Sequence, residues 1–286
     1  MTAQLLQGAS YAREIYAGLE QRIAALKALG VQPCLAAMEA GGNAASLVYI
    51  RNKVKACAAA GVRSDVHQFA ADCSEAALLE RLEALNRDSR VHGVIVQLPL
   101  PRELEARRIL QAIAPEKDVD GFGWRNLGAL LDGAPRYVPG TPLAVMTLLD
   151  RAAIPISGRH AVVVGRSTIV GKPLALLLLS RDATVTVCHS RTPDLARFTR
   201  TADIVVVAAG KPGLVTGPMI KNGAVVIDVG INRLEDGRLV GDLDYPSVSA
   251  VASWVTPVPG GVGPMTVAML IANTVAAAER SVGITR

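Results

Sequence analysis

The sequence predicts an α/β protein of two domains, each a parallel sheet with helices on its faces. Three observations carry this reading. Apolar runs of strand length alternate with stretches of helical periodicity along most of the 286 residues. The alternation breaks once, over residues 118–142, where Gly and Pro are frequent and periodicity is weak. Half of the residues are hydrophobic and 19% are charged, which suffices for two cores and excludes a disordered chain.

The elements follow in order. A helix over 12–29 carries Ile15, Leu19, Ile23 and Leu26 on one face. After Gly30, residues 33–38 read as a short buried strand, and 46–60 as a helix stopped by Gly61. A helix over 74–87 precedes the apolar run 91–98, which Pro99 and Pro101 end. Beyond the break, Thr141 caps a helix with Pro142 at its first position, running to about residue 153. Strand 161–164, helix 171–180 and strand 184–188 follow, then the apolar strands 204–208 and 225–229. A last helix begins at Pro264. The first domain is therefore 1–138, joined by the C-terminal segment 264–286, and the second is 139–263.

The net charge is +5, but basic residues are scattered among acids and no dense Lys/Arg run occurs. Only 3% of residues are aromatic, which removes the stacking platforms of single-strand binders. A nucleic-acid partner is not expected, and a mild positive balance suits small anionic substrates. Cys34, Cys57, Cys73 and Cys188 have neither CxxC spacing nor nearby paired histidines, so no metal site and no disulfide is expected. Reduced thiols, no visible signal peptide and no apolar stretch of membrane-spanning length point to a cytoplasmic protein without a membrane partner.

The segment His160-Ala-Val-Val-Val-Gly-Arg-Ser-Thr-Ile-Val-Gly171 reads as strand, turn and helix start. Gly165 permits a tight turn and Gly171 close helix–strand packing, so backbone N–H groups at the helix start can hold a pyrophosphate. Ser167 stands where the middle glycine of GxGxxG would be, and the signal rests on its place between a strand and a helix. A plain α/β turn is the alternative. NAD-binding units place an acid about 20 residues later. Here that place reads Cys188-His-Ser-Arg-Thr192, without one. Arg166, Ser190 and Arg191 instead suit a 2′-phosphate, which favours NADP as cofactor in a Rossmann-like domain.

Tyr49 and Lys53 stand four residues apart on one helical face, with Ser46 a turn earlier. A Tyr hydroxyl and a Lys ammonium so placed can share proton traffic, although the spacing also fits an amphipathic helix with a surface lysine. Short-chain dehydrogenases share this pair, but there it follows the glycine-rich turn, and here it precedes Gly165. Gln97 at a strand end and Asp120 in Lys117-Asp-Val-Asp-Gly-Phe122 are further candidates, since α/β folds gather ligands at strand C-termini. The competing roles are backbone satisfaction at the Pro99 turn and an Asx turn before Gly121. Thr256-Pro-Val-Pro-Gly-Gly-Val-Gly-Pro-Met-Thr266 makes a stiff loop without bulky side chains, suited to a flat ligand. His67, His92 and His160 show no catalytic spacing and read as structural or surface residues.

Together these segments resemble the bifunctional methylenetetrahydrofolate dehydrogenase/methenyltetrahydrofolate cyclohydrolase family. The matching stretches begin with Gly41-Gly-Asn-Ala-Ala-Ser-Leu-Val-Tyr49 with Lys53, and His92-Gly-Val-Ile-Val-Gln-Leu-Pro-Leu-Pro101. Pro115 to Phe122, Val164 to Pro173, Val226 to Asn232 and Thr256 to Thr266 continue them in family order over nearly the whole chain. The resemblance implies an N-terminal catalytic domain and a Rossmann-like NADP domain, with folate in a cleft between them. It implies that NADP+ takes a hydride from 5,10-methylenetetrahydrofolate, and that the methenyl cation is hydrolysed to 10-formyltetrahydrofolate. By similarity Lys53 is the central catalytic group, Gln97 orients it, Tyr49 positions folate and lysine, and Asp120 grips the pterin. Gly165, Arg166, Ser167, Ser190 and Ile231 map onto cofactor contacts. Leu98, Pro99, Pro259, Gly260, Gly261 and Val262 map onto the folate side. A homodimer is implied as well. A dehydrogenase without the hydrolytic step, and a non-catalytic NADP- or folate-binding module, are the alternatives. Gly42, Ala44, Gly123 and Gly140 depart from the family's usual acid, Pro, His and Cys, and the first two are expected to loosen the loop entering the Tyr49 helix.

Overall fold

The buried apolar runs of the sequence become strands of two separate parallel sheets in a computed structural model, which describes residues 2–284 apart from the side chains of Ala44 and Ala45. In chain order the first elements are β1 (Gln4–Leu5), α1 (Gly8–Ala28), β2 (Cys34–Ala40), α2 (Ala44–Ala60) and β3 (Arg63–Phe69). Next come α3 (Glu75–Arg87), β4 (Gly93–Val96), α4 (Ala106–Gln111), α5 (Trp124–Leu131) and α6 (Gly140–Arg151). Then follow β5 (His160–Val164), α7 (Gly171–Leu179), β6 (Thr184–Cys188), α8 (Leu195–Thr199), β7 (Ile204–Val207) and β8 (Val225–Asp228). The chain ends with β9 (Asn232–Arg233), β10 (Leu239–Val240), α9 (Tyr245–Ser249), β11 (Trp254–Val255) and α10 (Val262–Ser281).

Glu14–Val138 and the chain from Val267 onward form one compact unit. Its sheet runs β3-β2-β4, all parallel, with Cys34 opposite Arg63 and Leu35 opposite Gly93. Every residue of β2 is buried, as a central parallel strand covered on both faces requires. The pleat sends Leu35, Ala37 and Ile95 into one core with Leu19, Ile23, Leu26 and Val275. It sends Ala36, Met38 and Val94 into the other, with Leu78, Leu82 and Ile109. On α3, Ser74 caps the start by accepting from the Ala77 N–H at 3.2 Å, and Leu78, Leu82 and Leu85 are buried, worth about 2 kcal/mol each. Strand β3 fills the place between the two helices that the β-α-β-α-β order requires, though the sequence offers no range for it. Its sequence, Arg-Ser-Asp-Val-His-Gln-Phe, belongs to a half-exposed edge and has no apolar run.

Pro139–Thr266 and the residues up to Arg13 form the second unit. Its six-stranded sheet has the order β1-β11-β8-β7-β5-β6, with parallel pairing throughout. After β5 the chain goes first to β6 on one side and later to β7 on the other. That reversal makes the end of β5 the topological switch point, where such sheets bind ligands. The first thirteen residues, read from sequence with the N-terminal domain, cluster with this unit: Gln4 and Leu5 pair with Trp254 and Val255, and Ala3 is buried in its core. A two-residue strand leaves no periodic signal.

Two further expectations change. Thr141 does not cap α6, because the helix already begins at Gly140; its hydroxyl instead shares a hydrogen bond with the Thr266 hydroxyl at 3.2 Å. And one apolar stretch does reach membrane-spanning length: α10 is long and apolar enough by length and composition. Two thirds of that stretch is buried, with Leu270, Ile271 and Val275 in the core, so its apolarity serves packing within the protein.

Candidate active site

Helix α2 starts where Asn43 accepts from the Ser46 N–H through its side chain at 3.4 Å and from the Leu47 N–H through its carbonyl at 3.0 Å. The loop before it is held by main-chain donors. The Gly42 N–H donates to buried Glu39 at 2.8 Å, and the Gly41 N–H to the Phe69 carbonyl at 3.2 Å. On the helix, Ser46 is buried while Tyr49 is 45% exposed, a ring open to solvent and to ligands. One turn on, Lys53 Nζ donates to Gln97 Oε1 at 3.1 Å. Gln97 extends β4, its N–H donating to the Met38 carbonyl at 2.8 Å. Its side-chain amide donates to the Leu98 carbonyl at 2.8 Å, which turns the oxygen toward the lysine. The Leu98–Pro99 peptide is cis.

The Asp118-Val-Asp120 motif divides its labour. Asp118 is buried and accepts from the Phe122 N–H (3.2 Å), the Gly123 N–H (2.7 Å) and the Asn126 side chain (2.8 Å). The side chain that makes the turn is therefore Asp118, not Asp120. The Val119 carbonyl is held by Asn273 of α10 at 2.8 Å. Asp120 receives no hydrogen bond among the described residues. It keeps some accessible surface, yet desolvation pushes its carboxyl up to about 6, against the Lys53 charge, which lowers it, and with a smaller push from Asp118. Sequence reasoning missed Asp118, Asn126 and Asn273 as the supports of Asp120; only Asp118 carried a signal, inside the same motif.

In the other unit, Gly165 closes β5 at φ +129°, and a Cβ there would lie 2.2 Å from the Ala208 carbonyl oxygen. A Cβ on Gly171 would lie 2.1 Å from the Gly165 oxygen. Both glycines are required by close backbone approach, as a nucleotide turn demands. Ser167 replaces the middle glycine for a local reason: its hydroxyl accepts from the N–H groups of Val170 (3.1 Å) and Gly171 (3.3 Å) at the start of α7. Gly165, Arg166, Ser167 and Ser190 line one cavity of about 530 Å³, together with Leu195, Leu214 and Lys211. Arg191 is not among its lining residues, and its N–H donates to His189 Nδ1 at 3.1 Å. Ile231 lies apart, in a cavity of about 120 Å³ with Pro259, Gly260, Gly261 and Val262. A larger cavity, about 670 Å³, lies between Pro212, Leu234 and Tyr245 and holds none of the predicted residues.

Two aspartates tie the loops of this unit. The Asp228 carboxylate accepts from the N–H groups of Gly230 (2.9 Å), Asp242 (2.9 Å) and Leu243 (3.0 Å). Desolvation still pushes it up to about 6. The Asp242 carboxylate accepts from the N–H groups of Ala209 (2.7 Å), Gly210 (2.9 Å) and Lys211 (2.9 Å), and from the Asn232 side chain (2.8 Å).

Comparison with known proteins decides what these sites belong to. The family model for "Tetrahydrofolate dehydrogenase/cyclohydrolase, catalytic domain" matches residues 6–120, and that for its "NAD(P)-binding domain" matches 139–282. The chain is 55% identical over 281 residues to "Bifunctional protein FolD" of Polynucleobacter asymbioticus, covering 98% of this chain and 99% of that protein. The chain belongs to the tetrahydrofolate dehydrogenase/cyclohydrolase family. The crystal structure of FolD from Campylobacter jejuni matches with TM-score 0.96 at 46% identity, covering 97% of this chain and 99% of that one. FolD of Trypanosoma brucei, "complexed with NADP cofactor and inhibitor", matches with TM-score 0.95 at 42% identity and 99% of both chains. As a dehydrogenase/cyclohydrolase the chain has its NAD(P)-binding domain around β5, where Gly165 and Gly171 leave room for a nucleotide backbone.

Proposed function

We propose that the chain oxidises 5,10-methylenetetrahydrofolate with NADP+ and hydrolyses the 5,10-methenyl product to 10-formyltetrahydrofolate. The observation that carries this is the Lys53–Gln97 hydrogen bond, set beside a desolvated Asp120 that has no donor among the described residues. NADP+, when bound, supplies the hydride acceptor; Gly165, Arg166, Ser167 and Ser190 are the residues proposed to hold it. For the oxidation the chain supplies position rather than acid or base, because loss of hydride leaves a resonance-stabilised cation. Tyr49 offers its exposed ring to the folate, and Asp120 accepts from the pterin.

Hydrolysis needs protons handled. Water adds to the methenyl carbon and gives up both protons, one released and one taken by N5 as the C–N5 bond breaks, and the one-carbon unit stays on N10 as a formyl group. Lys53 stands where that proton traffic passes, and Gln97, itself anchored on Leu98, fixes the direction of its ammonium. A homodimer in the cytoplasm is also proposed, the first on the family resemblance and the second on four free cysteines. Light scattering on the purified chain tests the dimer.

The activity test supplies methylenetetrahydrofolate and NADP+ and follows NADPH together with methenyl absorbance. NADPH should accumulate while the methenyl signal passes through a low maximum. NADPH with a methenyl signal that only grows would leave a dehydrogenase alone, and no NADPH would reject both the bifunctional and the dehydrogenase-only reading.

A further inference from the structure

The turn after β7 holds a cation that the cofactor reading did not use. Its backbone is already committed: the consecutive N–H groups of Ala209, Gly210 and Lys211 converge on Asp242, whose carboxylate is fully buried. What the turn offers the nucleotide cavity is therefore side chain. Lys211 lines that cavity beside Arg166 and Ser190, and it makes no ion pair or side-chain hydrogen bond among the described residues. Arg191, the cation named from sequence, does not line it. Leu195 and Leu214 supply the apolar walls an adenine needs.

We propose that Lys211 is the second cation of the cofactor's 2′-phosphate site, in the place that local sequence gave to Arg191. Ser190 follows β6 and Lys211 follows β7, and these strands flank β5 on opposite sides. Two strand spacings separate them, about 10 Å, a gap that a four-carbon side chain and a phosphate group fill between them. Asp242 acts as a positioning residue, since without it the three N–H groups lose their common acceptor and Lys211 its fixed starting point. Lys211 would thus help select NADP over NAD. The inference rests on the reading of this cavity as the NADP site.

Calorimetric titration of the full chain with 2′,5′-ADP and with 5′-AMP tests it without turnover. Lys211→Gln should weaken 2′,5′-ADP about tenfold, the effect of one charge-assisted hydrogen bond, and leave 5′-AMP unchanged. Arg191→Gln should change neither, and KM for NADP+ should rise in Lys211→Gln as the fragment affinity falls. Equal losses for both nucleotides would move the lysine to the 5′-phosphate and overturn the assignment. So would a selective loss in Arg191→Gln in place of Lys211→Gln. Ser190→Ala separates the two layers: a selective loss there with none in Lys211→Gln rejects the lysine alone. No loss in any variant rejects the cavity as the nucleotide site.

Discussion

Asp120 in one unit and Asp228 in the other are both pushed up to about 6 by loss of water, yet their surroundings differ. Asp228 is buried and receives three backbone N–H groups, so it holds the β8 loop to the segment before α9. Asp120 receives none among the described residues, while its neighbour Asp118 takes the Phe122 and Gly123 N–H groups and the Asn126 amide. A desolvated carboxylate without donors contributes nothing to the fold that holds it. The difference separates a structural aspartate from one kept for a ligand, and acidity alone would have classed the two together.

The largest effect should come from Lys53, whose positive charge favours ionised Asp120. In Lys53→Ala the hydrolysis rate should fall by about 10²-fold or more, as expected when a positioned proton-transfer group is removed. Binding of 2′,5′-ADP should persist, because the nucleotide cavity lies in the other unit. Stopped-flow decay of methenyltetrahydrofolate measures the first and calorimetry the second; hydrolysis at the normal rate would remove Lys53 from the mechanism.

Stability sharpens the comparison next, because the two aspartates should respond with opposite signs. Asp228→Ala orphans three buried N–H groups and should cost about 3–5 kcal/mol in urea unfolding at pH 7. Asp120→Ala orphans none and removes a charge held in a desolvated place. From a carboxyl raised to about 6, the gain at pH 7 is at most about 3 kcal/mol. Similar losses in both variants would mean that Asp120 is also structural, and the contrast would collapse.

The legible parts of the protein were those whose signal is local. Strands β2, β4, β5, β7 and β8 are buried on both faces and read as apolar runs, so the two alternations could be inferred, while the switch point had to wait for the strand order. Strand β3 was not legible because an exposed edge needs no apolar run, nor was the β1–β11 pairing, two residues long and 250 positions apart. In the site, Lys53 and Gln97 stood out as residue types at a helix face and a strand end. That Asp118 would take the donors and leave Asp120 free depends on Asn126 and on turn geometry. Arg191 was visible because it follows Ser190 in sequence; Lys211 was not, because sheet order and Asp242 bring it to the cavity.

The smallest effect is the pH dependence, and it distinguishes the two carboxylates in one titration series. Both folded-state values lie above the ordinary 3.8, so the native state holds more protons than the unfolded chain between about 4 and 6. Stability from these groups is therefore present below that window and is lost as pH rises through it. Asp120→Ala should flatten this slope by about 1.4 kcal/mol per pH unit, one group's share. Function runs the other way for Asp120 alone. As pH falls below about 6 its carboxylate takes a proton and stops accepting from the pterin, so KM for folate should climb toward about tenfold per unit while KM for NADP+ holds. Lys53→Ala should move that onset to higher pH, because the opposing positive charge is gone. A folate KM flat from pH 7 to 5 would mean that the ionised Asp120 is not what grips the pterin.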